Sequence, residues 1–221
     1  MIQAQYRKDY QGEFVVLETR FSAGKKIQKR EWIENPIENH HLSGRAAVIG
    51  SREYVNRFDH SILEHHRGGL LGKKRLQTYG SGDLWKDMKF DFFVTTEREQ
   101  LSAIKEQNYD EENIVYSSSR LCIENPGRFY LIPYMPHLDN KAVAIYLAAF
   151  DGHTEVFLIG YDKSTPSDNR HWDAHVNQVF QAYRSTKFYL VGIETNMFPE
   201  WRKNSNVECM DYRSFISYCD V

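Results

Sequence analysis

The chain has no surplus of charge of either sign. Its 28 Lys and Arg stand against 30 Asp and Glu over 221 residues, so no global field holds a polyanion by electrostatics alone, and nucleic acid is not an expected partner. Local basic stretches, GKKR at 72–75 and WRKN at 201–204, are the candidates for a basic groove, although such runs are more often solvated faces. Cysteine is scarce: Cys122, Cys209 and Cys219 make an odd count without C-x-x-C spacing. That argues against a disulfide framework and a thiolate zinc site, suits a reducing compartment and leaves the three to be read as small buried hydrophobes. No apolar run approaches the ~20 residues that cross a bilayer; the longest lies around Ala142 to Phe150. The opening MIQAQYRKDYQGEF lacks the apolar core of a signal peptide. A soluble, cytoplasmic protein without a membrane span is expected. Phosphate-binding motifs are also missing. GSREYVNR is neither G-x-G-x-x-G nor a Walker loop, and GSG does not supply G-x-S-x-G, which argues against a conventional NAD site, a P-loop ATPase and a serine hydrolase.

What is present has the pattern of an α/β fold. The length suits one domain with a small appendage. Residues 13–34 read as two strands around SAGK, where Gly24 supplies the positive φ of a tight turn. This β-hairpin and the polar connector ENPIENHHLSG form an N-terminal appendage over 1–44. From Arg45 to the end at 221, short apolar runs alternate with segments of helical length. RAAVIG, KRLQTY, FDFFVTT, NIVYSS, TEVFLIG and KFYLVGI are the strand candidates of a mostly parallel sheet buried between helices on both faces. One helix starts at LDNKAVAIYLAAFDG, with Asp139 or Asn140 as its cap and Gly152 just past its end. Another runs through DNRHWDAHVNQVFQAYR, capped by Asp168 or Asn169, with Trp172, Val176, Val179, Phe180 and Tyr183 as its apolar stripe.

In such a sheet, ligands gather outside the carboxyl ends of the strands, where loops and helix N-termini converge. The relevant loops begin at Gly50-Ser51, Thr78 to Gly82, Thr95-Thr96, Asp139-Asn140 and Asp162 to Asn169. Within the last segment's helix, His171 and His175 lie four apart on one face, but Trp172 stands where an H-E-x-x-H zinc enzyme has glutamate. Three readings stay open on the residues alone. The pair could hold a metal with Asp162, both could be solvated helix residues, or His175 could act as a general base, since an unperturbed imidazole titrates near neutrality.

The stretch DGHTEVFLIGYD, then DNRHWDAH and a helix leading to KFYLVGI, resembles the bacterial lipooligosaccharide sialyltransferases of glycosyltransferase family 42. AAVIGS and GKKRLQTYGSGDLWKDMKFDFFVTT resemble that family's first three strands, so the likeness covers roughly residues 45 to 195. It implies a Rossmann-like domain over 45–221 that is a glycosyltransferase, transferring a sugar from a CMP-type nucleotide-sugar to a glycan or other acceptor hydroxyl. Neither a cofactor nor a metal would be required. It implies His175 as general base with His171 beside it, and Gly50, Ser51, Gln77 or Thr78, Thr95, Asp139, Asn140, Asp162 and Lys163 around the nucleotide. Two departures stand out: the first turn is Gly50-Ser51-Arg52 rather than Gly-Asn-Gly, and Ser164 replaces a tyrosine that assists the departing phosphate. Lys163, Tyr161, Lys141 or Arg170 would have to serve instead, and an acidic Asp139 at a helix start would compete with a phosphate for the same amides. The alternative is a non-catalytic binding or assembly protein that keeps the scaffold.

Overall fold

A computed structural model describes residues 2–6, 13–34, 44–50, 59, 61–65, 76–133, 137–161, 171–193 and 197–219. The expectations placed on Ser51, Asp162, Lys163, Ser164, Arg170, the caps at 168–169 and the basic stretch 72–75 lie outside the described residues.

The main sheet has eight strands: β4 (Arg45–Ile49), β5 (Gln77–Ser81), β6 (Phe92–Val94), β7 (Ile114–Ser117), β8 (Tyr130–Leu131), β9 (Glu155–Ile159), β10 (Lys187–Val191) and β11 (Val207–Met210). Their spatial order is β11-β10-β9-β4-β5-β6-β7-β8. The ladders β11·β10, β10·β9, β9·β4, β4·β5, β5·β6 and β7·β8 are all parallel. A separate antiparallel sheet is built from β1 (Ile2–Tyr6), β2 (Glu13–Ser22) and β3 (Lys25–Glu34). The chain divides into two compact units, residues 1–40 with 95–137 and residues 41–94 with 138–221, the second including the short helix α1 (Ser61–His65).

In the second unit, β4 and β9 carry the apolar run of a strand buried on both faces. Ala46 to Ile49 and Val156 to Ile159 are fully buried, and each such aliphatic or aromatic side chain contributes about 1.5–3 kcal/mol. Alternation then assigns the helices to opposite faces. Val156 is level with Phe188 and Phe157 with Tyr189. Phe180 of α6 (His171–Ala182) lies on Phe188 with ring centroids 4.7 Å apart, and Phe215 of α7 (Tyr212–Cys219) lies on Phe157 at 5.1 Å. Helix α5 (Asn140–Phe150) packs beside α6 and across β4, β5, β6 and β9. Its cap is Asp139, its last turn ends at Asp151, and Gly152 follows with φ of 90°, the positive-φ residue expected past a helix end.

The second strand of the chain's parallel series is displaced from its expected position. Thr78 belongs, with Gln77, to the first half of β5, level with Ala47 and Ala46 respectively, rather than to the loop after it. Gly80 is not a turn glycine: a Cβ there would come within 2.7 Å of the Phe90 ring, so the strand uses it to admit that ring. The chain leaves the strand at Gly82, with φ of 68°, into a short 3-10 turn over Gly82–Lys86.

In the first unit, Ala23 and Gly24, with φ of 50° and 75°, form the two-residue turn between β2 and β3, as a primed hairpin requires. Helices α2 (Arg98–Glu106), α3 (Tyr109–Glu112) and α4 (Ser119–Glu124) surround β7 and β8, with Leu101, Ile104 and Leu121 in the core. Arg128 grips Asp110 through two bonds of 2.6 and 2.8 Å. Cys122 is buried, which pushes its thiol up to about 12. Cys219 is also buried, whereas Cys209, on β11, is exposed, contrary to the expectation that all three pack inside.

Candidate functional site at the carboxyl end of the sheet

A series of contacts joins the end of β4 to the start of α5 and the first turns of α6. Gly50 follows β4 and is buried, its N–H donating to the Ile159 carbonyl at 2.9 Å. A Cβ on Gly50 would meet the Tyr161 ring at 2.7 Å, so this glycine exists to let the ring pass. The Tyr161 hydroxyl donates to the Lys141 carbonyl at 3.0 Å. Burial, then the nearby Asp139, pushes that phenol well above its ordinary value, so it stays a neutral donor committed to the backbone.

Asp139 works in two directions. Its Oδ1 accepts from the Lys141 backbone N–H at 2.9 Å, closing one of the unsatisfied amides of the first helical turn. Its own backbone N–H donates to Nδ1 of His175 at 3.0 Å. His175 is half-buried on α6, and Trp172, one turn earlier, is buried against Tyr161 with centroids 6.0 Å apart. The Lys141 ammonium lies 5.0 Å above the Trp172 ring, within the range of a cation–π contact.

The bond to Nδ1 fixes the proton on the imidazole. A backbone N–H can only donate, so Nδ1 is the acceptor, and the neutral ring carries its proton on Nε2. A histidine that takes a proton at Nε2 needs the other tautomer, with Nδ1–H held by an acceptor, as in the serine-protease triad. Here the outward nitrogen is a donor. The second oxygen of the exposed Asp139 carboxylate takes no hydrogen bond among the described residues. The arrangement therefore pairs a hydrogen-bond donor with a carboxylate acceptor on adjacent elements.

Of the residues singled out from the sequence, Asp139, Asn140, His175 and Gly50 fall along this line. Asn140 opens α5 and is half-buried. Gln77 and Thr78 do not join them: they lie at the amino end of β5, where the Thr78 N–H and hydroxyl both bond to Asp91 at 2.8 and 3.0 Å. Thr95 belongs to the first unit. There it is fully buried and receives the Ser117 hydroxyl on its carbonyl at 2.7 Å, while its own hydroxyl accepts from the Glu97 N–H at 3.1 Å. His171 is the first residue of α6, and its side chain lies outside the description. Among the described residues no group of three His, Cys, Asp or Glu side chains is placed to hold a metal ion, and no helix is long and apolar enough to cross a membrane.

The sequence reading passed over Ser81. It closes β5, is 1 % exposed, and its Oγ has no hydrogen-bond partner among the described residues. The register, Ile49 level with Gly80, puts Ser81 beside Gly50. The signal was available in YGSGD, but a Gly-Ser-Gly run reads as a turn. No family model matches the chain, and neither a curated protein nor a solved structure matches it.

Proposed function

We infer that the protein is a transferase that moves a sugar from a nucleotide-sugar of CMP type onto an acceptor hydroxyl at the carboxyl end of the sheet, with Asp139 as its base and His175 as its hydrogen-bond donor. The observation that carries this reading is the Asp139 N–H to His175 Nδ1 bond, which assigns opposite roles to two adjacent groups. In the transfer, the acceptor oxygen bonds to the anomeric carbon as the bond from that carbon to the phosphate oxygen breaks. The hydroxyl proton passes to the Asp139 carboxylate, and His175, which keeps its proton, donates a hydrogen bond from Nε2–H to the phosphate as negative charge grows on it. This exchanges the role that the family resemblance implies for His175, because the base role requires the ring to release the Asp139 amide first. Lys141 adds a positive charge at the same helix start.

A second reading, a binding protein without transfer, is favoured by one contact. The Tyr161 ring fills the space over Gly50, where a nucleotide phosphate approaches the backbone in many sheets of this kind.

Thermal-shift measurements with CMP, UMP, UDP and GDP test the reading. A ligand at 100 times its dissociation constant stabilises by about 2.7 kcal/mol, or roughly 5–10 °C for a chain of this length. CMP is expected to give this shift in the wild type and in His175→Ala, with transfer from a CMP-sugar lowered about 10²- to 10⁴-fold in the variant. No shift with any nucleotide rejects the reading. A shift without turnover in the wild type selects the binding protein.

A further inference from the structure

We propose that β3 is a dimerisation edge: two copies of the chain pair their β3 strands antiparallel, about a two-fold axis at residue 30, into one six-stranded sheet. The proposal stands on the first unit alone and is independent of the transferase reading. In the order β1-β2-β3 the last strand is an edge, with no further strand on its outer side among the described residues. β1, at the opposite edge, packs against α4.

An edge strand presents unpaired N–H and C=O groups to any other strand, and proteins blunt such edges by shortness, proline or bulges. β3 has none of these. It is ten residues long, KKIQKREWIE, without proline, and its ladder with β2 runs unbroken from Lys25 to Glu34. Ile27 lies on it 53 % exposed. Lysines guard an edge when theirs is its only charge. Here lysines occupy positions 25, 26 and 29 and glutamates positions 31 and 34, an order that repels a parallel copy and attracts an antiparallel one.

The hairpin turn limits the possible registers. Ser22 and Lys25 flank its two residues, and such a flanking pair exchanges both of its hydrogen bonds. Alternation along the ladder then turns the backbone groups of residues 25, 27, 29, 31 and 33 toward β2 and those of 26, 28, 30, 32 and 34 outward. Two copies can pair only outward residue to outward residue. Centred on residue 30, that pairing sets Lys26 opposite the partner's Glu34, Ile27 opposite the partner's Ile33 and Lys29 opposite the partner's Glu31. Lys29, already level with Glu18 in its own sheet, then has a carboxylate position on either side. Arg30 meets its own copy on the axis, one like-charge contact against two kinds of opposite-charge contact that the two-fold repeats. All the outward residues find partners, giving about ten main-chain hydrogen bonds. Sliding the strands by two residues loses the match. One direction sets Ile27 against Glu31 and Lys29 against itself; the other sets Lys29 against Ile33 and Glu31 against itself. The two-fold also ends the association, because each chain spends its β3 edge on the partner.

Sedimentation velocity with the full chain, over about 1 to 100 μM, tests this. The wild type is expected to convert from monomer to dimer across that range and to form nothing larger. Gln28→Pro deletes an outward N–H while sparing the ladder with β2, and is expected to raise the dissociation constant at least about tenfold. Lys26→Glu, at an exposed position, sets glutamate opposite the partner's Glu34 and is expected to raise it about 3- to 30-fold. Adding Glu34→Lys to Lys26→Glu restores opposite charges and is expected to bring the dissociation constant back to within about threefold of the wild type. Unchanged circular dichroism and melting temperature confirm the fold of each variant. A wild type that stays monomeric up to about 100 μM overturns the proposal. So does a dimer whose dissociation is unchanged in Gln28→Pro and Lys26→Glu, one that the charge exchange fails to restore, or assembly beyond the dimer.

Discussion

The two ends of the same strands are built differently. At the amino ends, polar groups close on one another. Arg45 meets Glu155 at 3.2 Å and lies 4.6 Å over the Tyr218 ring, and the Tyr218 hydroxyl donates to Glu155 at 2.6 Å. Nearby, the buried Tyr79 hydroxyl donates to Asp151 at 2.6 Å and lies 3.0 Å from Nε2 of the buried His153. At the carboxyl ends stand a glycine, an exposed carboxylate and an imidazole whose protonated nitrogen is the one not spent on Asp139. Hydrogen-bonded groups packed against one another hold a fold together. A donor and an acceptor at a sheet's carboxyl edge are where chemistry can occur. The comparison predicts that amino-end changes alter stability and leave ligand binding intact, while changes at Asp139 and His175 do the reverse.

The largest effect is expected at Asp151. Burial raises its carboxyl to about 7, against the lowering effect of the Tyr79 hydrogen bond. The folded state therefore holds this proton where the unfolded chain has lost it, and the associated stability, full below about pH 4, is lost as pH rises through about 7. A shift from 3.8 to about 7 corresponds to on the order of 4 kcal/mol. Asp151→Asn removes the ionisation, so the variant is expected to melt on the order of 10 °C above the wild type at pH 8 and close to it at pH 4. An equal difference at both values breaks the comparison. Next is Gly50→Ala, whose added Cβ must displace the Tyr161 ring. Urea denaturation is expected to show a loss of about 1–3 kcal/mol, with a coupling to Tyr161→Phe too small to detect and a coupling to Tyr161→Ala that offsets part of the cost. Glu155→Gln, at the amino end, is expected to cost about 1 kcal/mol without changing the CMP-induced shift. The smallest stability effect belongs to Asp139→Asn, within about 0.5 kcal/mol because asparagine caps a helix equally well, although transfer is expected to be abolished.

Much of the framework was legible because it rests on periodicity. RAAVI, EVFLI and KFYLV are runs that only a strand covered on both faces accommodates, and the stripe of Trp172, Val176, Val179 and Phe180 identified one face of α6. The hairpin turn followed from Gly24. Three strands left no comparable trace. β8 is two residues long, β11 reads VECM with both central residues exposed, and β1 belongs to a sheet that the sequence suggested as a two-stranded hairpin. Gly80 misled the placement of β5 because a glycine that admits Phe90 looks, in one dimension, like a glycine that turns the chain. The site was legible as a place, through Asp139 as a cap and His175 on a helix beginning nearby. Its chemistry was not. The role of an imidazole depends on which nitrogen faces a donor, and the Asp139 N–H arrives from 36 positions away, a distance that no local pattern encodes.

The tautomer of His175 is the most direct measurement. Long-range proton–nitrogen correlation spectra of uniformly ¹⁵N-labelled protein, with His175→Gln to assign the ring, are expected to show an unprotonated Nδ1 and a protonated Nε2 in the neutral state. A protonated Nδ1 with a bare Nε2 would contradict the account and return the histidine to the role of base.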